Sequence, residues 1–198
     1  MTPKTIECKF TEDETRRWET LQAEQLVDVV SGGQVQQPTR VMTCWDGDAV
    51  YFRFECVDDH TVADYTQRDD PLYEQDVVEV FIDEEGTGRH YIELELSPLN
   101  VVFDARVDNE DGRIRVHTEW DADGMETKVW NEGDLRLYEI RLPFIHFSRR
   151  PESGTLWRIN FYRIDEDRDN KRYYQAWSPT GAVNYHIPSR FGTLRFVK

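Results

Sequence analysis

The sequence predicts an all-β protein: an antiparallel β-sandwich of immunoglobulin or jelly-roll type, with at most short helical turns. Three observations carry this. Apolar and polar residues alternate over run after run, the period of strands with one buried face. The runs are short and separated by turn residues at spacings of about 8–12 residues, as in sandwiches. No helical pattern lies between them, so a parallel α/β sheet has no crossover connections.

The elements follow in order. Residues 1–25 are polar. Residues 11–24 could open a helix capped by Thr11 or Asp13, but the apolar stripe is thin, and 1–25 read equally as a peripheral arm on a single domain spanning 1–198. Residues 26–30 are a short strand stopped by Ser31, Gly32 and Gly33. Thr39–Trp45 and Ala49–Val57 are strands joined at Asp46 and Gly47, a strong hairpin signal. Residues 58–75 form a long polar loop holding Tyr65 and Tyr73, and such loops are more often functional than incidental.

The centre of the pattern is residues 76–107. Residues 76–83 carry Val77, Val78, Val80, Phe81 and Ile82. After the turn at 84–89, residues 91–96 alternate strictly, with Ile92, Leu94 and Leu96 on one face and Tyr91, Glu93 and Glu95 on the other. Residues 101–107 alternate again. Further strands are expected at 114–117, 127–130, 135–142, 155–164, 173–177 and 192–197, with a short helical turn or bend at 143–147.

Composition narrows the function. The chain has 198 residues, enough for one domain burying roughly 70% of its unfolded surface. Only 38% of residues are hydrophobic but 13% are aromatic, so the core must rest on rings. A net charge of −15 repels polyanions, which disfavours nucleic acid and anionic membrane as partners and leaves neutral ligands and divalent cations. No run of about 20 apolar residues is present to span a membrane. The first residues hold no apolar signal segment, so the chain as it stands reads as cytoplasmic, or as secreted if a signal has been removed. Cys8, Cys44 and Cys56 are odd in number and form no CxxC. The hairpin at Gly47 would set Cys44 opposite about Val50 and not Cys56, so free thiols in a reducing compartment are expected. Oligomeric state is open.

Several stretches in order resemble one family. They are CWDGDAVYFRFECVDD at 44–59, DVVEVFIDEE at 76–85, YIELELSP at 91–98 with the FDA at 103–105, LWRINFYRID at 156–165, AWSP at 176–179 and YHIPSRFGTLRF at 185–196. From about residue 39 onward the chain is similar to the family 9 carbohydrate-binding modules and related DOMON-like domains. The resemblance implies a twisted β-sandwich that binds sugars without catalysis, often with structural calcium. It implies that two aromatic rings clamp a sugar, at Tyr73 and Tyr185, helped by Glu79 of the D-x-x-E motif and Glu93 of Y-x-E. Trp177 is a further candidate for a clamp ring. Known members carry Trp where this chain has Tyr.

The same residues have plainer readings. Tyr65, Tyr73, Trp177 and Tyr185 could equally pack the ends of the sandwich, as amphipathic rings do. Glu93 and Glu95, roughly 6–7 Å apart along a strand, could act as a hydrolase pair, with Glu93 or Glu79 as the acid. The stronger expectation is a charged network in which Arg163, or Arg158 beside it, satisfies Glu93 or Glu95. Asp165, Asp167 and Asp169 alternate like the start of a calcium loop, but Asn170 and Ala176 stand where an EF-hand needs Gly and Glu. A β-turn calcium site or a solvated hairpin tip remains. The five histidines show no metal spacing. A third overall reading is a structural or partner-binding domain without sugar affinity.

Overall fold

A computed structural model describes residues 4–13 and 15–198. The all-β expectation is met. Among the described residues the strands are β1 (Thr5–Phe10), β2 (Glu24–Gln25), β3 (Val27–Asp28), β4 (Thr39–Trp45), β5 (Ala49–Val57), β6 (Val77–Asp83) and β7 (His90–Leu96). They continue as β8 (Val102–Glu110), β9 (Arg113–His117), β10 (Glu126–Glu132), β11 (Leu135–Pro143), β12 (Leu156–Glu166), β13 (Arg172–Ala176) and β14 (Gly192–Val197). Short 3-10 turns at Leu72–Glu74, Phe144–His146 and Pro188–Arg190 punctuate them. Among the described residues no helix is long and apolar enough to cross a membrane.

Hydrogen bonding runs continuously through β10-β11-β5-β4-β1-β14-β12-β6-β7-β8-β9. The two halves of this path face each other across one core. Phe52, Phe54 and Ile140 from β5 and β11 meet Val78, Val80, Leu94 and Phe161 from β6, β7 and β12. The Phe161 ring centroid lies 5.7 Å from Phe52 and 5.9 Å from Phe54, the separation of favourable tilted pairs. At one end Trp157 stacks on Phe147 at 4.2 Å and meets Phe196 edge-on at 4.7 Å. Aromatic bulk does fill the core, as the composition requires.

The amino-terminal expectation fails in part. Far from a peripheral arm, β1 is an interior strand, parallel to β14 along Thr5 to Lys9 and to β4 at Lys9 and Phe10. Ile6 and Cys8 are fully buried, which is the alternation of a strand with one face inward. Among the described residues of 11–24 no α-helix forms. The Asp13 carboxylate accepts the Thr15 N–H at 2.9 Å, a local turn that competes with helix, and only Trp18–Thr20 makes a 3-10 turn. Trp18 is buried with Met42, Cys44 and Tyr51, so this segment covers the outer face of β4 and β5. Residues 1–3 and 14 lie outside the described residues.

The β4–β5 hairpin pairs Trp45 with Val50 and Cys44 with Tyr51, one step from the expected register. All three cysteines are free and buried.

The feature that positions the site is β6. Every residue of it is buried. Val78, Val80 and Ile82 enter the main core. Val77, Glu79, Phe81 and Asp83 point the other way, onto a face closed by a second cluster. There Phe81, Tyr91, Phe103 and Tyr162 pack with Tyr185 and Phe191 from the loop before β14.

Candidate functional site

The strand period and the β6–β7 register build an acidic floor. Glu79 pairs directly with Glu95, and Phe81 with Glu93. Glu93 and Glu95 are two apart on β7, so all three carboxylates rise from one sheet face. They are 2%, 5% and 2% exposed for Glu79, Glu93 and Glu95. One oxygen from each lies within 4.8 Å of those of the other two.

The expected arginine partner is elsewhere. On β12, Tyr162 stands opposite Glu79, which sends the next residue, Arg163, through to the other face. There its guanidinium pairs with Asp165 and donates to Thr39 Oγ1 at 3.1 Å and the Val57 carbonyl at 2.8 Å. Arg158 donates to the backbone carbonyls of Gly192, at 3.1 Å, and Phe191. Glu79 Oε1 and Glu95 Oε2 are buried without a hydrogen-bond donor.

Three crowded, desolvated carboxylates resist ionisation. Burial, then the charge of Glu93, holds Glu79 well above the usual carboxylate range. Burial raises Glu93 to about 8. Burial, then the charges of Glu79 and Glu93, raises Glu95 well above its ordinary value. His186 Nε2 sits 3.9 Å from Glu93, but burial lowers this imidazole to about 4, so at neutral pH it carries no compensating charge. Its Nδ1 lies 2.8 Å from the Tyr91 hydroxyl, which fixes the ring.

Above this floor opens a cleft of about 800 Å³, within the range of small-ligand sites. Tyr73, Tyr174, Tyr185, Val183 and His186 line its sides. Tyr73 is 51% exposed, on a turn anchored by the buried Leu72 beneath it. Tyr65 stands nearby, its hydroxyl donating to Glu74 at 2.6 Å. Tyr185 reaches the cleft but is packed: its ring stacks on Tyr162 at 4.0 Å and 8°, and its hydroxyl donates to the Arg163 carbonyl at 3.2 Å. Of the four rings weighed from sequence, Tyr73 therefore presents the most exposed surface.

Trp177 is not in the cleft. It is fully buried in the main core, tilted against Phe161, with Nε1 donating to Glu24 at 3.1 Å. Parity explains it: Ala176 belongs to the cluster on the cleft face, so its neighbour turns to the opposite side.

Asp165, Asp167 and Asp169 do not converge either. Asp165 is buried against Arg163. Asp167 accepts the N–H groups of Asp169 at 2.9 Å and Lys171 at 3.0 Å, a hairpin-tip turn. Asp169 is exposed. Asp165 instead gathers with Asp58 and Asp76. That group is already matched: Arg163 pairs Asp165, Arg136 pairs Asp58 at 3.1 Å, and Asp76 accepts N–H donors from Val62 and Glu166 at 2.8 Å each. Protein partners thus already engage Asp58, Asp76 and Asp165.

Comparison with known proteins bears on the whole chain. Residues 13–198 match the family model described as carbohydrate family 9 binding domain-like. The chain belongs to this family. A solved family 9 carbohydrate-binding module from Caldicellulosiruptor kristjanssonii, in complex with cellotriose, superposes with a TM-score of 0.75 at 19% identity, covering 98% of this chain and 94% of that one. A family 9 module from the same organism, in complex with glucose, gives 0.72 at 19% identity, over 98% of this chain and 95% of that one. A protein of Arthroderma benhamiae named "Extracellular protein" is 26% identical over 178 residues, 80% of this chain and 78% of its own length.

As chemistry, the cleft offers carboxylate acceptors for hydroxyl donors, a flat exposed ring, and apolar wall. A glycosidase needs two carboxylates flanking a scissile bond. Here all three rise side by side from adjacent strands of one face. Sequence reasoning found Glu79 and Glu93 but gave Glu95 no ligand role and missed His186. The alternation on β7 already placed Glu95 beside Glu93; the register that brings Glu79 to them has no local signal.

Proposed function

We propose that this family 9-like domain binds carbohydrate, without catalysis, in the cleft over the β6–β7 face. The observation that supports the reading best is the pairing of an exposed Tyr73 ring at the rim with buried acceptors at the floor. Sugars present apolar C–H faces to the first and hydroxyl donors to the second. Glu79, Glu93 and Tyr185 belong to this reading as floor and wall. Trp177 enters it only as core beneath the sheet.

The extracellular name of the fungal relative supports a secreted setting. The three thiols do not oppose it. All are buried, and burial raises Cys44 to about 12 and Cys56 to about 11, which suppresses the reactive thiolate.

Calorimetric titration with glucose, cellotriose and a wider glycan panel tests the proposal. Binding in the wild type should weaken about tenfold in Tyr73→Ala, the loss of one stacking face, on the order of 1–1.5 kcal/mol. No binding to any glycan, or an unchanged Tyr73→Ala, would overturn it.

A further inference from the structure

We propose that Glu79, Glu93 and Glu95 form a binding site for one hard divalent cation, calcium above all, at the floor of the cleft. The proposal concerns the ion alone and stands whether or not a sugar binds above it.

Geometry comes first. Calcium–oxygen bonds of about 2.3–2.6 Å put ligand oxygens on opposite sides of an ion roughly 5 Å apart at most. One oxygen of each glutamate lies within 4.8 Å of the others, so a single ion can touch all three. The β6–β7 register fixes this spacing, because directly paired and next-but-one residues on a sheet face cannot drift apart.

Charge comes second. Up to three negative charges stand nine-tenths buried on one face. No ion pair among the described residues joins a lysine or arginine to any of them. Arg172 also lines the cleft, but its guanidinium is engaged by Glu166 at 2.9 Å and by the Glu74 carbonyl. Buried charges in proteins are paired or ligate metals, or they are neutralised by protons.

The orphaned oxygens show that no protein donor does this work. Glu79 Oε1 and Glu95 Oε2, on two members of the cluster, are buried with no donor to satisfy them. Protons on the carboxyls would neutralise the group and bridge its oxygens two at a time, whereas a single ion can bind all three carboxylates together. One ion supplies both charge and coordination. The all-carboxylate donor set selects oxygen-seeking ions over soft ones, and no cysteine stands in it. The aspartate trio has its arginines; among the described residues the glutamate trio has none.

The test is calorimetric titration of EDTA-stripped protein with calcium chloride, and separately with manganese chloride, in the absence of sugar. One ion per chain is expected, with affinity falling at least about tenfold in Glu79→Gln and again in Glu95→Gln, since ligand charge sets calcium affinity over several decades. Gln keeps the shape, and circular dichroism of the stripped variants confirms that they fold. A second pair, Asp167→Asn and Asp169→Asn, should bind as the wild type does. Absence of binding by both ions at millimolar concentration overturns the proposal. So does binding that survives loss of two glutamates, which would place the ion elsewhere.

Discussion

Gly192→Ala asks whether Trp177 is core or ligand clamp, and the structure gives the size of the answer. A Cβ at Gly192 would stand 2.2 Å from Trp177 Cζ3, 2.5 Å from Cη2 and 3.0 Å from the Lys4 carbonyl oxygen. Carbon atoms in contact sit about 3.5–4.0 Å apart, so the indole must retreat by more than an ångström. It has nowhere to go. Phe161 is 5.7 Å away on the core side, and Glu24 holds Nε1. Overpacking of this kind costs about 1–3 kcal/mol, and two rigid neighbours place this case near the upper end. For a domain of this size that lowers Tm by roughly 5–10 °C. Trp177→Phe alone removes buried ring atoms and should cost on the order of 2 kcal/mol. In the double variant the alanine methyl occupies the space the larger ring gave up, so the two costs should not add, with a coupling of about 1–3 kcal/mol. Urea unfolding of the four proteins measures the cycle. Glycan titration of Trp177→Phe should match wild type. The reasoning fails if Gly192→Ala is neutral, if the costs simply add, or if Trp177→Phe abolishes glycan binding while its unfolding midpoint stays put.

Other tests follow from the buried charges. Arg163→Met leaves Asp165 unpaired and should cost about 3–5 kcal/mol in urea unfolding; Arg163→Met with Asp165→Leu should recover most of it, and equal instability in both would refute the pairing. In metal-free protein, Glu93 titrates near 8 when folded against an ordinary 4.5. Between those values the folded state holds a proton that the unfolded chain has released. Stability from this group is therefore full below pH 4.5 and is lost as pH rises toward 8, at up to about 1.4 kcal/mol per unit. Unfolding in EDTA across pH 5–8 should show that slope, flattened in Glu93→Gln; no difference between the two would refute it.

The fold was legible because it rests on a local signal. Thr39–Trp45, Ala49–Val57 and Gly192–Val197 form where the alternation places them. Two failures share a cause. The alternation of Ile6 and Cys8 in β1 is two residues deep and sits in polar surroundings, so only its partners β4 and β14 reveal it. The Glu79–Glu95 pairing likewise depends on which strands lie side by side and in what register. Arg163 and Trp177 were misplaced by one step of strand parity, which reverses the face a side chain serves. Periodicity tells which residues share a face; it does not tell that both faces of β6 are covered.

The place of β1 bears on how the protein is made. Thr5 pairs with Thr193, and Lys9 with Val197, so the first strand described finds one of its two neighbours only in the last. A chain emerging from the ribosome can pair β1 with β4 early, at Lys9 and Phe10, yet the long side of β1 stays open until β14 arrives. Until then an unpaired edge carrying Ile6 and Cys8 awaits its partner, the kind of edge that recruits other chains. Closure is thus a late, long-range event and a slow one, and a chain cut short of Gly192 should remain an open, adhesive half-sandwich.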